Sequence, residues 1–198
     1  MKIHLMRLLS LIKRFVTTDF EHKIYYLQTY LNHLMAKIGK NNQFDYIWLK
    51  KLYDSNKLVK EKGIQKIELD RIIPFDLTHN LVCPCCKYKF FDFSDGAKRV
   101  DIRKAICPSC KKTFNGLDRR YWSMKSEDIE AHLTGIETIK RRIINGWKPE
   151  PVELYYNKKT CLYYKLHGFK RMIAHIELKK RYIDAVIYYP KINLSRAS

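Results

Sequence analysis

Acidic residues are scarce. The 198-residue chain sets 20 Asp and Glu against 39 Lys and Arg, a formal net charge of +19. Glycine and proline are few, at 7 and 6, and alanine is sparse. Lys, Ile, Tyr and Asn are used heavily instead, a bias that suits an A/T-rich genome such as a virus, an organelle or a mobile element. No run approaches the roughly 18 consecutive apolar residues of a membrane-spanning helix, so no transmembrane segment is expected. The lack of acid is not local. Residues 1–62 carry 12 basic and 5 acidic residues, residues 63–120 carry 12 and 7, and residues 121–198 carry 15 and 8. A detachable basic tail is therefore excluded. At 46% hydrophobic and 13% aromatic the chain can build a core. An evenly basic folded protein meets a polyanion, of which nucleic acid is the commonest.

Against that background the cysteines are informative. Cys83-Pro84-Cys85-Cys86-Lys87-Tyr88-Lys89-Phe90 and Cys107-Pro108-Ser109-Cys110-Lys111-Lys112-Thr113-Phe114 share the pattern C-P-x-C-K-x-x-F. Residues 87–106 separate Cys86 from Cys107. Two thiolates from one tight turn grip one edge of a tetrahedron, and a second turn supplies the other edge. A gap of about 15–20 residues between pairs is the spacing expected for zinc. A thioredoxin-like redox pair needs a single C-x-x-C beside a βαβ pattern, not two matched ones. A four-thiolate iron–sulfur site is the other alternative. Cys83 and Cys86 are the preferred first pair, with Cys85 as the substitute. Cys85 and Cys161 are left over, and unpaired thiols beside a large core indicate a reducing intracellular compartment, not secretion.

The stretch 81–116 resembles a zinc ribbon, the module found in many transcription, translation and replication proteins. The resemblance implies a structural Zn²⁺ held by Cys83, Cys86, Cys107 and Cys110. Four thiolates leave no open coordination position, so the expected metal does no chemistry.

The rest of the chain divides into a helical region over 1–63, the ribbon region over 64–118 and an α+β region over 119–198. The fold class expected is α+β, with a helical N-terminal region, a central four-cysteine zinc ribbon and a small α+β C-terminal region. Met1 to Val16 reads as a basic amphipathic helix, which suits packing, a membrane surface or targeting. Thr18 and Glu21 form a capping box for a second helix that Gly39 ends. A third opens at Asn41-Asn42 and extends toward Lys62. Ile64, Ile67 and Leu69 suggest a short strand. Phe90, Phe91 and Phe93, the turn Ser94-Asp95-Gly96, and then Val100, Ile102 and Ile106 predict one β-hairpin. A helix is expected from Ser126 to Asn145, with Gly135 as a weak point. Val152–Tyr156 and Thr160–His167 should pair, and a helix or helix plus strand closes the chain at Pro190.

Three echoes of enzymes are present. Asp70-Arg71-Ile72-Ile73-Pro74 with His79-Asn80 resembles the D-H-I-x-P of HNH nucleases, but Arg71 stands where that family carries its general-base histidine and cannot accept a proton. Glu177-Leu178-Lys179 fits the E-x-K half of a restriction-type site without an upstream strand aspartate. His132-Leu133-Thr134-Gly135 with Asn157 to Cys161 is similar to a stretch of primase-polymerases, yet Tyr163-Tyr164 replace the paired metal-binding aspartates.

The composition and motifs together lead to a zinc-stabilised, basic, DNA- or RNA-binding protein. It is read as a non-catalytic subunit of a replication, transcription, translation or mobile-element assembly, with other protein subunits as partners. The alternatives are a metal-dependent nuclease or primase-like enzyme, and a protein-interaction adaptor. The phosphate-binding candidates are Lys87, Lys89, Lys98, Arg99, Arg103, Lys104, Lys111 and Lys112 on the ribbon, and Lys158, Lys159, Lys170 and Arg171 beyond it.

Overall fold

Strands and helices follow where the apolar periodicity changes from two to 3.6. The computed structural model describes residues 46–190, and the helices expected over 1–16 and 18–38 lie outside them. Helix α1 spans Tyr46–Asp54. It does not run on to Lys62. Asn56 enters the left-handed region at φ 53, and Leu58–Lys60 turns into strand β1. Strand β2 (Gln65–Glu68) and the two-residue β3 (Ile72–Ile73) follow, joined by a 3-10 turn at Leu69–Arg71.

The C-terminal part supplies the frame. Helix α2 spans Ser126–Ile144 without a break, with Glu127 and Asp128 in its first turn and Arg141 and Arg142 in its last, as the helix dipole favours. Gly135 lets it approach the next helix: a Cβ there would lie 2.8 Å from Lys170 Cδ. Strands β8 (Val152–Asn157) and β9 (Leu162–His167) form the expected hairpin. Helix α3 (Phe169–Glu177) then crosses to β10 (Tyr182–Pro190), which runs parallel to β8. The chain closure is thus helix plus strand.

The sheet order is β1-β10-β8-β9-β3, with β2 also on β10. β10 is long enough to take β2 along residues 182–185 and β1 along 188–190. β3 lies parallel to β9 at the far edge. The segment before the cysteines is therefore woven into both edges of a sheet whose centre comes from the end of the chain. Leu154, Tyr164, Met172 and Ile173 are fully buried. The architecture is mixed α+β, with a main sheet of six strands and two small two-stranded sheets.

Those small sheets correct one expectation. Strands β4 (Leu81–Val82) and β5 (Lys89–Phe90) pair across the first cysteine turn, and β6 (Ala105–Ile106) and β7 (Thr113–Phe114) pair across the second. No hairpin spans the Asp95-Gly96 turn. The turn itself forms, closed by Ala97 N–H donating to Ser94 O at 2.8 Å. Its flanks face elsewhere: Val100 N–H donates to Asp70 O at 2.6 Å, and Phe91, Phe93 and Val100 are buried.

Candidate metal centre

Each C-P-x-C-K-x-x-F repeat folds the same way. Cys83 N–H donates to Tyr88 O at 2.9 Å and Lys87 N–H to Cys83 O at 3.0 Å. In the second turn Cys107 N–H donates to Lys112 O at 3.0 Å and Lys111 N–H to Cys107 O at 2.9 Å. The lysine after each second cysteine takes a left-handed backbone, φ 59 at Lys87 and φ 60 at Lys111. That conformation wraps the turn round its own sulfurs, at a cost of about 1 kcal/mol for a non-glycine residue. The pseudo-repeat read from the letters is thus a repeat of backbone geometry.

The two turns meet. The sulfurs of Cys83, Cys86, Cys107 and Cys110 all lie within 4.8 Å of one another. Cys83 Sγ is 3.5 Å from Cys110 Sγ, and Cys86 Sγ is 3.6 Å from Cys107 Sγ. A tetrahedron with metal–sulfur bonds of about 2.3 Å puts its sulfurs about 3.8 Å apart, so the group fits a single ion. Cys83 and Cys107 are buried, Cys110 is half-buried and Cys86 is exposed. Cys85 is exposed and lies outside the group. The backbone N–H of Tyr88 lowers the Cys86 thiol to about 6, whereas burial pushes Cys107 up to about 12. The four sulfurs can hold a metal ion, and they are the one set of three or more His, Cys, Asp or Glu ligands so grouped among the described residues.

The finger is seated on the sheet by aromatic packing. Phe90 and Phe114, equivalent in the two repeats, meet edge to face at 5.9 Å and fill its interior. Phe75 contacts Phe93, Trp122 and Phe169 at 5.6–6.2 Å. Trp122 Nε1–H donates to Gly116 O at 2.8 Å in the interior. Gly116 has no room for a side chain, since a Cβ would lie 2.8 Å from the Ile102 carbonyl oxygen. Tyr164 O–H donates to Asp92 at 2.8 Å, tying sheet to finger.

Of the basic candidates, Lys89, Lys98, Lys104 and Lys112 are exposed on the finger, as are Lys158 and Lys159 on the β8–β9 turn; Lys87 is exposed too, with its ammonium donating to Pro84 O at 3.1 Å. Others have internal partners. Arg99 pairs with Glu68 at 3.0 Å and with Asp70. Arg103 donates to Ile176 O at 2.8 Å, and Lys111 pairs with Asp95 at 2.6 Å. Arg171 donates to Glu150 O and Pro151 O, and Lys170 packs over Gly135. The enzyme echoes also have partners. Glu177, at the end of α3, is held by Arg119 at 3.1 Å and Lys140 at 3.0 Å. Arg71 donates to Cys161 O at 2.9 Å and lies over the Tyr163 ring.

Sequence reasoning missed a buried polar cluster beside the finger. Lys165, on β9, pairs with Asp76 and lies 3.1 Å from His79 Nδ1. Asp76 also accepts from Thr78 N–H and His79 N–H, each at 2.8 Å, in a tight Asx turn. His79 stacks on Phe169 at 4.4 Å, and His132 of α2 meets it edge-on at 5.1 Å. Burial alone would raise the Asp76 carboxyl. The hydrogen bond with His79, the Lys165 ammonium and Thr78 outweigh burial and hold it far below the usual carboxylate range. Burial pulls Lys165 below the ordinary lysine value against the attraction of Asp76. Only the D-x-T-H spacing of an Asx turn hinted at this cluster, and nothing in that spacing points to a lysine 86 residues away.

No protein-family model, curated protein or solved structure matches the chain.

Proposed function

We propose that the protein is a zinc-stabilised nucleic-acid-binding protein and a non-catalytic subunit of a replication, transcription, translation or mobile-element assembly. The observation that carries this reading is the four-sulfur group set in a finger with exposed lysines on its outside. All-sulfur ligation favours a soft ion, and four thiolates complete a closed tetrahedron. An iron–sulfur cluster would interpose several atoms between sulfurs that lie 3.5–3.6 Å apart here, so zinc is the better fit. The ion would hold two turns rigid, and the lysines around them would displace counterions from phosphates. A net charge of +19 spread over the chain supplies the long-range attraction.

The test has two arms. Metal analysis of natively purified protein should find zinc in a one-to-one ratio with chain. Binding to labelled DNA and RNA should weaken steeply as salt rises. A metal-free folded protein would remove the first half of the reading, and a flat salt response the second.

A further inference from the structure

A cleft of about 440 Å³ opens where the second half of the finger meets the turn between α3 and β10. Its volume lies in the roughly 300–1,000 Å³ range of small-ligand sites. The buried residues of its lining include Leu69, Ile72, Val100, Ile102 and Ile176, all apolar. Arg103, Lys179, Lys180 and Arg181 line its exposed part. Two carboxylates, Asp70 and Asp101, also line it: Asp70 pairs with Arg99 through Oδ2 while its buried Oδ1 has no hydrogen-bond partner, and Asp101 accepts from the backbone N–H of Arg103. Arg181 pairs with Glu68, and Arg103 with the Ile176 carbonyl. Lys179 and Lys180 are exposed, and neither ammonium has a hydrogen-bond or ion-pair partner among the described residues.

The backbone at Lys179 adds a second observation. It stands at φ 55, where the end of α3 closes with Lys179 N–H on Ile176 O and Lys180 N–H on His175 O. This helix-ending position is usually glycine. A lysine there gives up about 1 kcal/mol of backbone preference, which points to a use for its side chain.

We infer that this cleft takes one nucleotide unit of a nucleic-acid strand, phosphate on Lys179 and Lys180, base on the apolar lining. The inference rests on the nucleic-acid-binding reading and narrows it to a place and a strand form. A base reaches an apolar lining only when unpaired, so the ligand is single-stranded. The lining comes from the β2–β3 segment, the finger and the α3–β10 turn, so occupancy would clamp the finger to the sheet.

The probe is a fluorescein-labelled strand of about 16 nucleotides, DNA or RNA, the upper end of a one-module site. Full-length Lys179→Glu/Lys180→Glu should bind it about tenfold more weakly and flatten the salt slope by about 1.4, for two lost phosphate contacts. Lys125→Glu/Lys148→Glu makes the same charge change outside the cleft and should have a much smaller effect. Lys179→Gly should bind more weakly while melting no lower than the parent, because glycine accepts that backbone without strain. This separates binding from folding. An abasic strand of equal length should bind the parent more weakly than the normal strand.

Equal loss in the two double variants, or equal binding of normal and abasic strands, overturns the cleft assignment while the general reading stands. Displacement by poly-glutamate at equal charge overturns it in favour of an acidic protein partner. If the parent binds neither strand at low salt, the nucleic-acid reading itself falls.

Discussion

The finger and the sheet beside it are stabilised by different means. The finger's strands β4, β5, β6 and β7 have two residues each, and its interior amounts to a few rings around Phe90 and Phe114. The sheet has strands of six to nine residues at its centre, and Leu154, Tyr164, Met172 and Ile173 are among the fully buried side chains of the sheet and helix α3. A module as small as the finger cannot bury enough apolar area to fold on packing alone. A metal held by its four grouped sulfurs would concentrate its stability at one point. The sheet spreads its stability over many contacts and can tolerate the loss of any one better. On the zinc reading, the difference is between cooperative collapse around an ion and cooperative packing.

If the four sulfurs hold zinc as proposed, removing it should break the comparison most sharply. Chelation, or Cys107→Ser, should strip amide-exchange protection from residues 81–114 while β8, β9 and β10 keep theirs. A structural zinc is worth about 10–16 kcal/mol in small finger peptides, more than the finger's own packing can replace. Uniform loss of protection across both regions would show that the sheet also depends on the ion.

The next effect tests the sheet at its most exposed weakness. Lys165→Met leaves the Asp76 carboxylate buried without its ammonium and should cost about 3–5 kcal/mol in denaturant unfolding. Adding Asp76→Asn removes that charge, and its amide oxygen can still accept from Thr78 and His79. The double variant should therefore recover most of the loss. If it is no more stable than the single variant, the pair is not the source of the cost.

Acid should act on the same side of the molecule. Burial holds His132 and His175 below the ordinary histidine value. Their unfolded forms bind protons first as pH falls through about 6.5, so stability present above that pH is lost below it. Each group contributes at most about 1.4 kcal/mol per pH unit. Asp76, depressed in the folded state, adds a further loss below about pH 4, where the unfolded carboxyl protonates. Urea midpoints that do not move between pH 7.5 and 5.5 would contradict the histidine part.

Gly135→Ala is the mildest probe. The added Cβ meets the flexible Lys170 side chain, and alanine gains up to about 1 kcal/mol of helix preference. The net change in melting should be small, of either sign and under about 1 kcal/mol. A loss beyond that would mean that α2 and α3 cannot move apart at all.

Helix α2, the β8–β9 hairpin and the repeated cysteine turn could all be read from local patterns. Helical spacing with a charged first turn, alternation across Asn157–Lys159, and the C-P-x-C-K-x-x-F repeat each lie within a short window. The extension of α1 to Lys62 was misread because Leu58 and Val59 fit a helical pattern as well as a strand. The strand wins because β10 offers partners at Pro190 and Tyr189. The hairpin expected across Asp95-Gly96 failed for the same reason. Its turn signal was sound, but Val100 found Asp70, a partner no local window contains.

Residue order alone therefore marked out the four grouped cysteines, their spacing and the excess of positive charge, because a cysteine turn and a net charge depend on neighbouring residues and totals. Which strands pair, that Lys165 meets Asp76, and that Lys179 and Lys180 overlook an apolar cleft became decided when distant segments packed. Those are contacts between residues as far apart in the chain as Leu58 and Pro190, where burial and hydrogen-bond completion outweigh any local preference.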